Sequence, residues 1–154
     1  MKFFIFFLLC LPVHGFLANV KHLQQLYHDF PNGKPLPTLI YHDEMSCFYN
    51  NYEMVHKNKL LYISILNCLQ KTVRTFYPNC SIRISKVSIV SDQCCIHWVL
   101  SSIDFLTISG HSLYSFDQKG LIKKHEIKIN NRLSKKEVVE YTHPLLWKPI
   151  RVQK

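Results

Sequence analysis

The chain has 154 residues, of which 47% are hydrophobic, and its 19 Lys and Arg against 10 Asp and Glu give a formal net charge of +9. This length suits one domain and is long enough to bury a core without disulfides or metals. Because only 19% of the residues are charged and only four are glycine, the composition excludes a disordered, collagen-like or low-complexity chain. We therefore expect one basic globular domain.

The first fifteen residues have the pattern of a secretory signal peptide. Lys2 supplies a positive charge, Phe3–Val13 is an uncharged and mostly apolar run, and Gly15 is a small residue after which cleavage would occur. The run is shorter than the roughly 20 apolar residues of a membrane-spanning helix. We therefore expect a secreted or lumenal protein with no transmembrane span in its mature chain. The alternative is an uncleaved signal anchor that reaches Val20. An organellar presequence is disfavoured because the segment lacks Arg and Ser.

Cleavage after residue 15 would leave an odd number of cysteines, so they cannot all form disulfides within one chain. One or two disulfides, or a set of free thiols that behave as small hydrophobic residues, remain open as alternatives. No C-x-x-C pair is present. The cysteines concerned are Cys47, Cys68, Cys80, Cys94 and Cys95.

One glycosylation sequence is present. Asn79-Cys80-Ser81 is the only N-x-[ST] match in the chain, and it follows Pro78 at the end of a predicted helix. In a secretory protein we therefore expect Asn79 to be an exposed acceptor for an N-linked glycan.

Helices come first along the chain. Apolar residues at three- and four-residue steps predict an amphipathic helix over Leu17–Phe30, which the breaker cluster Pro31-Asn32-Gly33 ends. Thr38–Phe48 is expected to be extended. Lys57–Tyr77 is predicted to be a second helix that Pro78 stops. Because the apolar residues of this second helix spread around its circumference, we expect it to be well buried.

The hydrophobic period then changes to that of β-strands. Four β-rich runs are separated by short polar connections, which permit only antiparallel neighbours and so predict a four-strand meander. The runs are Ser81–Val90, Cys94–Ser101, Phe105–Asp117 and Leu121–Asn130. Helices followed by a meander indicate an α+β fold. We assign residues 16–130 to this domain and residues 131–154 to a C-terminal extension.

Alternation along the strands places one histidine inside the domain. Since successive strand residues point to opposite faces, the apolar sets of the meander share the face that the helices cover. His125 falls on this inner face, whereas His97 and His111 fall on the outer face. A three-histidine metal site is therefore disfavoured, although the three histidines are evenly spaced along the chain. The sequence indicates no metal ion and no cofactor.

The order of these elements resembles a known superfamily. The residues that carry the resemblance are Leu39-Ile40-Tyr41-His42-Asp43, His97-Trp98-Val99-Leu100 and the run Ser109–Ile122 followed by His125. They are similar to nuclear-transport-factor-two-like proteins, which include ketosteroid isomerase, scytalone dehydratase and SnoaL-like polyketide cyclases. The motif looks most like an uncharacterised branch, a domain of unknown function. The resemblance covers Leu17–Asn130. It implies N-terminal helices packed on a strongly curved antiparallel meander, a cone-shaped, cystatin-like α+β barrel with an apolar pocket.

The resemblance also suggests site residues, because an Asp or His inside the cone is the base in enzymes of this superfamily. The catalytic candidates here are His125, with Tyr114 as a proton donor, and Asp43. The alternatives are a buried neutral histidine bonded to a tyrosine, and a solvated aspartate at a strand end. The predicted pocket lining is Trp98, Ile108, Tyr114, His125, Tyr62 and Leu61.

These features predict a domain that binds a small apolar molecule or a protein partner without turnover. The alternatives are an isomerase, dehydratase or cyclase that uses His125, and a homodimerisation module. Basic residues concentrate after Lys119, as a nucleic-acid-binding or membrane-binding surface would require. No RNP-like motif, zinc finger or recognition helix accompanies them, so nucleic acid is disfavoured as a partner.

Overall fold

The computed structural model describes residues 2–102 and 107–133, with side chains over 15–102 and 107–130. Within these residues it has two α-helices, a short 3₁₀ helix and six β-strands. The helices are α1, Lys2–Asp29, and α2, Lys59–Phe76. The strands are β1, Tyr41–Tyr49; β2, Tyr52–Val55; β3, Ser81–Val90; β4, Gln93–Ser101; β5, Thr107–Phe116; and β6, Ile122–Leu133. The predicted extension lies outside the described residues from 134 onward.

Helix α1 ends where the breaker cluster predicts. Its last residue is Asp29, and the 3₁₀ helix Phe30–Asn32 follows. Gly33 then has a φ of 71°, a left-handed conformation that glycine adopts without a steric cost. A side chain at Gly33 would also collide with the Arg74 side chain of α2. Gly33 therefore ends the helical segment, and α1 packs beside β3 at the edge of the sheet.

Helix α2 begins at a side-chain cap. The Asn58 Oδ1 accepts a hydrogen bond from the backbone N–H of Leu61, with 2.9 Å between the two atoms, and so pairs one of the N–H groups that a helix start leaves free. The helix ends at Phe76, before Pro78, as predicted.

The expectation that α2 is well buried is wrong. Its buried residues are Tyr62, Leu66 and Gln70, which are four positions apart and form one stripe. Leu60 is 80% exposed and Phe76 is 68% exposed. The sheet covers only one side of α2, and the apolar residues outside that stripe stay in contact with solvent.

The six strands form one mixed sheet in the order β2-β1-β6-β5-β4-β3. Strands β3 to β6 are antiparallel neighbours in sequence order, which confirms the predicted meander. Strand β1 instead runs parallel to β6. It then turns through Asn50 and Asn51, both with positive φ, into β2. The sheet is therefore mixed, whereas a purely antiparallel sheet was expected. Strand β2 was not predicted from the sequence. The α+β class is confirmed.

A register irregularity decides which residues of β6 face the core. Ile122 is fully buried and His125 is 5% exposed, although a regular strand would place residues three apart on opposite faces. The pairing of β5 with β6 shifts between Ser115 and Phe116. One extra residue in β6 thus brings both side chains to the inner face.

The five cysteines beyond residue 15 are free thiols in the structure. Cys47 and Cys94 are buried, Cys68 is exposed, and the other two are half-buried. Of the two alternatives that the sequence leaves open, the structure has the free thiols. In the part of the chain with described side chains, no helix is long and apolar enough to cross a membrane.

Candidate ligand-binding cavity

A cavity of about 490 Å³ lies between the inner face of the sheet, the end of α1 and one side of α2. This volume is in the range of small-molecule sites. The lining is almost entirely apolar, and among the described residues it contains no Lys, Arg, Asp or Glu. The cavity therefore suits an uncharged, mainly apolar occupant.

The cavity opens to solvent beside the β1–β2 hairpin. Three of its lining residues are substantially exposed: Tyr49 at 37%, Met54 at 50% and Leu69 at 49%. They come from β1, β2 and α2. The opening therefore lies between the hairpin and α2, and a small molecule could enter there.

Most of the residues predicted to line a pocket border this cavity. They are Tyr62, Trp98, Ile108, Tyr114 and His125. Leu61 does not border it and is 45% exposed, so its predicted place in the lining is wrong. Successive residues of a helix point about 100° apart. Since Tyr62 is on the buried stripe of α2, its neighbour Leu61 must point to the side.

His125 is the central polar residue of the cavity. Its Nδ1 lies 2.8 Å from the hydroxyl oxygen of Tyr62, and the Tyr114 ring stacks on its imidazole. Its Nε2 is buried and has no hydrogen-bond partner among the described residues. Burial lowers the pKa of His125 to about 3, because the charged form would lose its hydration. His125 is therefore neutral at neutral pH.

Two further pairs of polar groups in the lining are hydrogen-bonded to each other. The hydroxyl oxygens of Tyr27 and Tyr114 lie 2.8 Å apart, and the Trp98 Nε1–H donates to the Ser112 Oγ at 3.1 Å. Burial raises the pKa of Tyr114 well above its usual value, so this hydroxyl keeps its proton. Among the described lining residues, the His125 Nε2 is therefore the buried side-chain nitrogen or oxygen that lacks a partner.

Asp43 is outside the cavity, which contradicts its role as an internal carboxylate. Its side chain is 95% exposed and lies 3.5 Å from the Lys59 Nζ. It borders a separate depression of about 430 Å³ on the surface, together with His42 and Asp117. A regular strand would place Asp43 on the same face as Tyr41 and Met45, which are both buried. The pairing of β1 with β6 is irregular between Tyr41 and Ser46, and this bulge carries Asp43 out to solvent. Asp43 is thus a solvated strand residue.

The outward histidines lie together on the other face of the sheet. The rings of His97 and His111 have centroids 5.4 Å apart, and these residues are paired across β4 and β5. His125 is on the inner face, so the three histidines do not converge. Among the described residues, no group of three or more His, Cys, Asp or Glu side chains is arranged to hold a metal ion.

Sequence reasoning missed three hydroxyl-bearing residues of the lining, Tyr27, Tyr49 and Ser112. A signal was present for Ser112. Ser112 is two positions before Tyr114 on β5 and therefore shares its face. Tyr27 belongs to the apolar stripe of α1, and its hydroxyl gave no separate indication that it would meet Tyr114.

Solved structures with a similar fold include an NTF2-like protein of unknown function from Mesorhizobium loti. It aligns with a TM-score of 0.60 at 10% identity, over 77% of this chain and 93% of that one. An NTF2-like protein of unknown function from Burkholderia xenovorans LB400 gives 0.59 at 8% identity, over 80% of this chain and 89% of that one. The fold is NTF2-like.

A putative isomerase of the SnoaL-like family from Agrobacterium tumefaciens also shares the NTF2-like fold. It aligns with a TM-score of 0.56 at 11% identity, over 77% of this chain and 99% of that one. No protein-family model and no curated protein sequence matches the chain. At these identities the likeness shows the fold alone.

Proposed function

We propose that this NTF2-like domain binds a small apolar molecule in the cavity and does not chemically convert it. The observation that carries the proposal is the open cavity of about 490 Å³ whose described lining has no charged residue. Strong curvature of the sheet into a cone, which the family resemblance implies, would enclose such a ligand. The signal-peptide pattern of residues 1–15 supports a secreted or lumenal place of action.

The physical driving force would be the removal of apolar surface from water. Burial contributes about 25 cal/mol for each Å² of apolar surface, and part of this gain offsets the loss of the ligand's motional freedom. For a ligand of about ten carbon atoms, these effects predict a dissociation constant on the order of 10 μM.

The chemistry of the lining favours binding over catalysis. A general base works best when its pKa lies near the operating pH, whereas burial holds the pKa of His125 at about 3. Its Nδ1 is also engaged by Tyr62. Asp43, the other candidate base, lies outside the cavity. An isomerase, dehydratase or cyclase mechanism would therefore lack an effective base among the described lining residues.

A fluorescence titration tests the proposal. The full sequence is expressed through a eukaryotic secretory pathway, and the recovered protein is titrated with N-phenyl-1-naphthylamine, an uncharged dye that brightens in apolar surroundings. We expect saturable binding of one dye per chain. Ile108→Trp places a larger side chain in the lining and should weaken binding at least about tenfold, since the added ring occupies ligand volume.

Ile89→Trp is the matched control. Ile89 is 44% exposed on β3 and does not border the cavity, so this variant should bind the dye as the wild type does. Circular dichroism should show that both variants are folded. Absence of dye binding by the wild type, or equal affinities of the two variants, would contradict the proposed site.

A further inference from the structure

We infer that the chain has a second binding site, for a neutral carbohydrate, in the surface depression of about 430 Å³ that His42, Asp43 and Asp117 border. We call it the polar depression. Its other polar lining residues are Lys59, Gln118 and Lys119. Its volume is in the range of small-molecule sites. Among the described residues it shares no lining residue with the apolar cavity, so the inference does not rest on the proposed function.

His42 presents a hydrogen-bond donor to the polar depression. The backbone N–H of Glu44 donates to the His42 Nδ1 at 3.0 Å, so this nitrogen accepts a bond and carries no proton. The proton of the imidazole is therefore on Nε2. The Nε2 lies 3.8 Å from the Asp117 Oδ2, which is too far for a direct hydrogen bond.

Asp117 presents an acceptor beside this donor. Its Oδ1 accepts the backbone N–H groups of Lys119 and Leu121, at 2.8 and 2.9 Å, and these bonds hold the carboxylate in place. A group that bridges the His42 Nε2–H and the Asp117 Oδ2 must accept one hydrogen bond and donate the other. A hydroxyl does both, whereas a carboxylate only accepts and an ammonium only donates.

The charges around the polar depression cancel. The positive side chains of Lys59 and Lys119 border it together with the negative ones of Asp43 and Asp117. The Lys59 Nζ lies 3.5 Å from the Asp43 Oδ1, and these two groups form a second pair of donor and acceptor. An anion or a cation would meet one like charge for each opposite charge. A neutral ligand with several hydroxyls can instead bond to both pairs.

An exposed leucine and a tied backbone complete the site. Leu39 borders the polar depression and is 86% exposed, so the C–H face of a sugar ring can pack on it and remove apolar surface from water. The start of β1 and the turn at residues 117–121 are joined where the Ile122 N–H donates to the Ile40 carbonyl oxygen at 2.9 Å. The polar groups are therefore in position before a ligand binds, which lowers the entropic cost of binding.

Saturation-transfer difference NMR on the secreted full chain tests this ligand class, because the method detects weak binding through the signals of the ligand. The protein is first treated with an N-glycosidase, so that a glycan on Asn79 does not compete. The neutral probes are the methyl glycosides of glucose, galactose, mannose and N-acetylglucosamine, and each is compared with an amino sugar and a uronic acid of the same configuration. We expect saturable binding of at least one neutral glycoside, with a dissociation constant on the order of 1 mM. Its charged counterparts should bind more weakly.

Asp117→Asn removes the acceptor with little change of shape. The amide oxygen can still accept the backbone N–H groups of the turn, whereas an NH₂ donor replaces Oδ2. Binding of the glycoside should weaken at least about tenfold. His42→Phe removes the donor and should also weaken binding, and it provides the test if circular dichroism shows that Asp117→Asn does not fold. Glu44→Gln is the matched control, since Glu44 is exposed and does not border the polar depression.

A neutral carbohydrate can reach this site as a free sugar or as the end of a glycan on another protein. The glycoside that binds is therefore compared with an N-glycan that ends in the same sugar. Tighter binding of the N-glycan would identify a glycan as the source, and binding of the glycoside alone would identify a free sugar. Both results support the site.

Three results would contradict the inference. Absence of saturable binding by all four neutral glycosides would show that the polar depression holds solvent only. Tightest binding of an amino sugar or a uronic acid would overturn the neutral ligand class. Undiminished binding by folded Asp117→Asn or His42→Phe would place the sugar elsewhere. None of these results affects dye binding in the apolar cavity, so this inference and the proposed function can fail separately.

Discussion

The ring of Tyr114 lies stacked on the imidazole of His125, with the two centroids 4.2 Å apart and the planes at 18°. Tyr62 meets the same imidazole edge-on, with a centroid distance of 5.9 Å. The two tyrosines thus remove His125 from water, and this burial is the cause of its lowered pKa. The arrangement has measurable consequences for stability, because a buried neutral histidine becomes charged only on unfolding.

His125 should make the protein less stable in acid. The pKa of its side chain is about 6.5 when unfolded and about 3 when folded. Between these values the unfolded chain binds a proton that the folded chain does not. The contribution to stability is complete above pH 6.5 and is lost progressively as the pH falls toward 3. From pH 7 to pH 4 the free energy of unfolding should fall by about 3 kcal/mol through this group.

Urea unfolding at both pH values measures this loss. His125→Gln should lose correspondingly less stability between pH 7 and pH 4 than the wild type, because glutamine does not titrate. His22→Gln is the control, since His22 is exposed on α1. This variant should lose as much stability between pH 7 and pH 4 as the wild type does. The same acid sensitivity in His125→Gln and in the wild type would show that His125 is not buried as described.

Tyr62→Phe should destabilise the protein by about 1–3 kcal/mol. The variant keeps the ring that packs on Tyr41 but leaves the buried His125 Nδ1 without its partner. Chemical denaturation measures the change. Tyr52→Phe is a matched control, because Tyr52 is 78% exposed and its change should stay within about 0.5 kcal/mol.

A double-mutant cycle tests whether the Tyr62 hydroxyl bonds to His125. Tyr62→Phe and His125→Leu should show a coupling of about 1 kcal/mol or more, as expected for residues in direct contact. Additive effects of the two substitutions would argue against the hydrogen bond between Tyr62 and His125.

Gly110→Ala should destabilise the sheet beside the cavity by about 1–3 kcal/mol. A Cβ at Gly110 would lie 2.6 Å from the Lys128 carbonyl oxygen and 2.6 Å from the Trp98 Cζ2. The Trp98 ring would have to move, and its hydrogen bond to Ser112 would be lost. Thermal unfolding and dye binding should both show the effect. Ser109→Ala is the adjacent control, and a Gly110→Ala variant as stable as this control would contradict the close packing.

The sequence predicted the meander well because its strands are consecutive. Residues such as Ile96, Trp98 and Tyr114 alternate regularly, and short turns join each strand to the next. The parallel pairing of β1 with β6 has no such local signal, because Cys47 and His125, which pair there, are far apart in the sequence. A contact of this kind depends on the whole chain, and hydrophobic period alone does not specify it.

The site was predictable in part for the same reason. His125, Tyr114 and Trp98 could be placed on one face from strand parity alone. The alternation of residues along a strand gives no information about Leu61, because this residue is in a helix. The apolar surface of a helix does not show which stripe the sheet will cover. The bond from Tyr62 to His125 was also beyond sequence reasoning, because it joins side chains of α2 and β6 at a distance that packing sets.

The secretory proposal predicts a defined N-terminus and one glycan. Asn79 is exposed in the turn between α2 and β3, where a glycosyltransferase could reach it. Cleavage after Gly15 would leave Phe16 first in the chain, and this residue already packs edge-on against Phe116, with centroids 4.5 Å apart. Protein secreted by eukaryotic cells should therefore begin at Phe16 and lose mass on treatment with an N-glycosidase.

Sequon variants make this prediction specific. Asn79→Gln and Ser81→Ala should each abolish the mass change, because both residues are required in the acceptor sequence. Asn32→Gln, which lies outside any N-x-[ST] sequence, should keep it. A glycosylated protein that retains Met1 in the membrane fraction would support the signal-anchor alternative. An unglycosylated protein that retains Met1 in the cytosol would contradict entry into the secretory pathway, because glycan addition and signal removal both occur there.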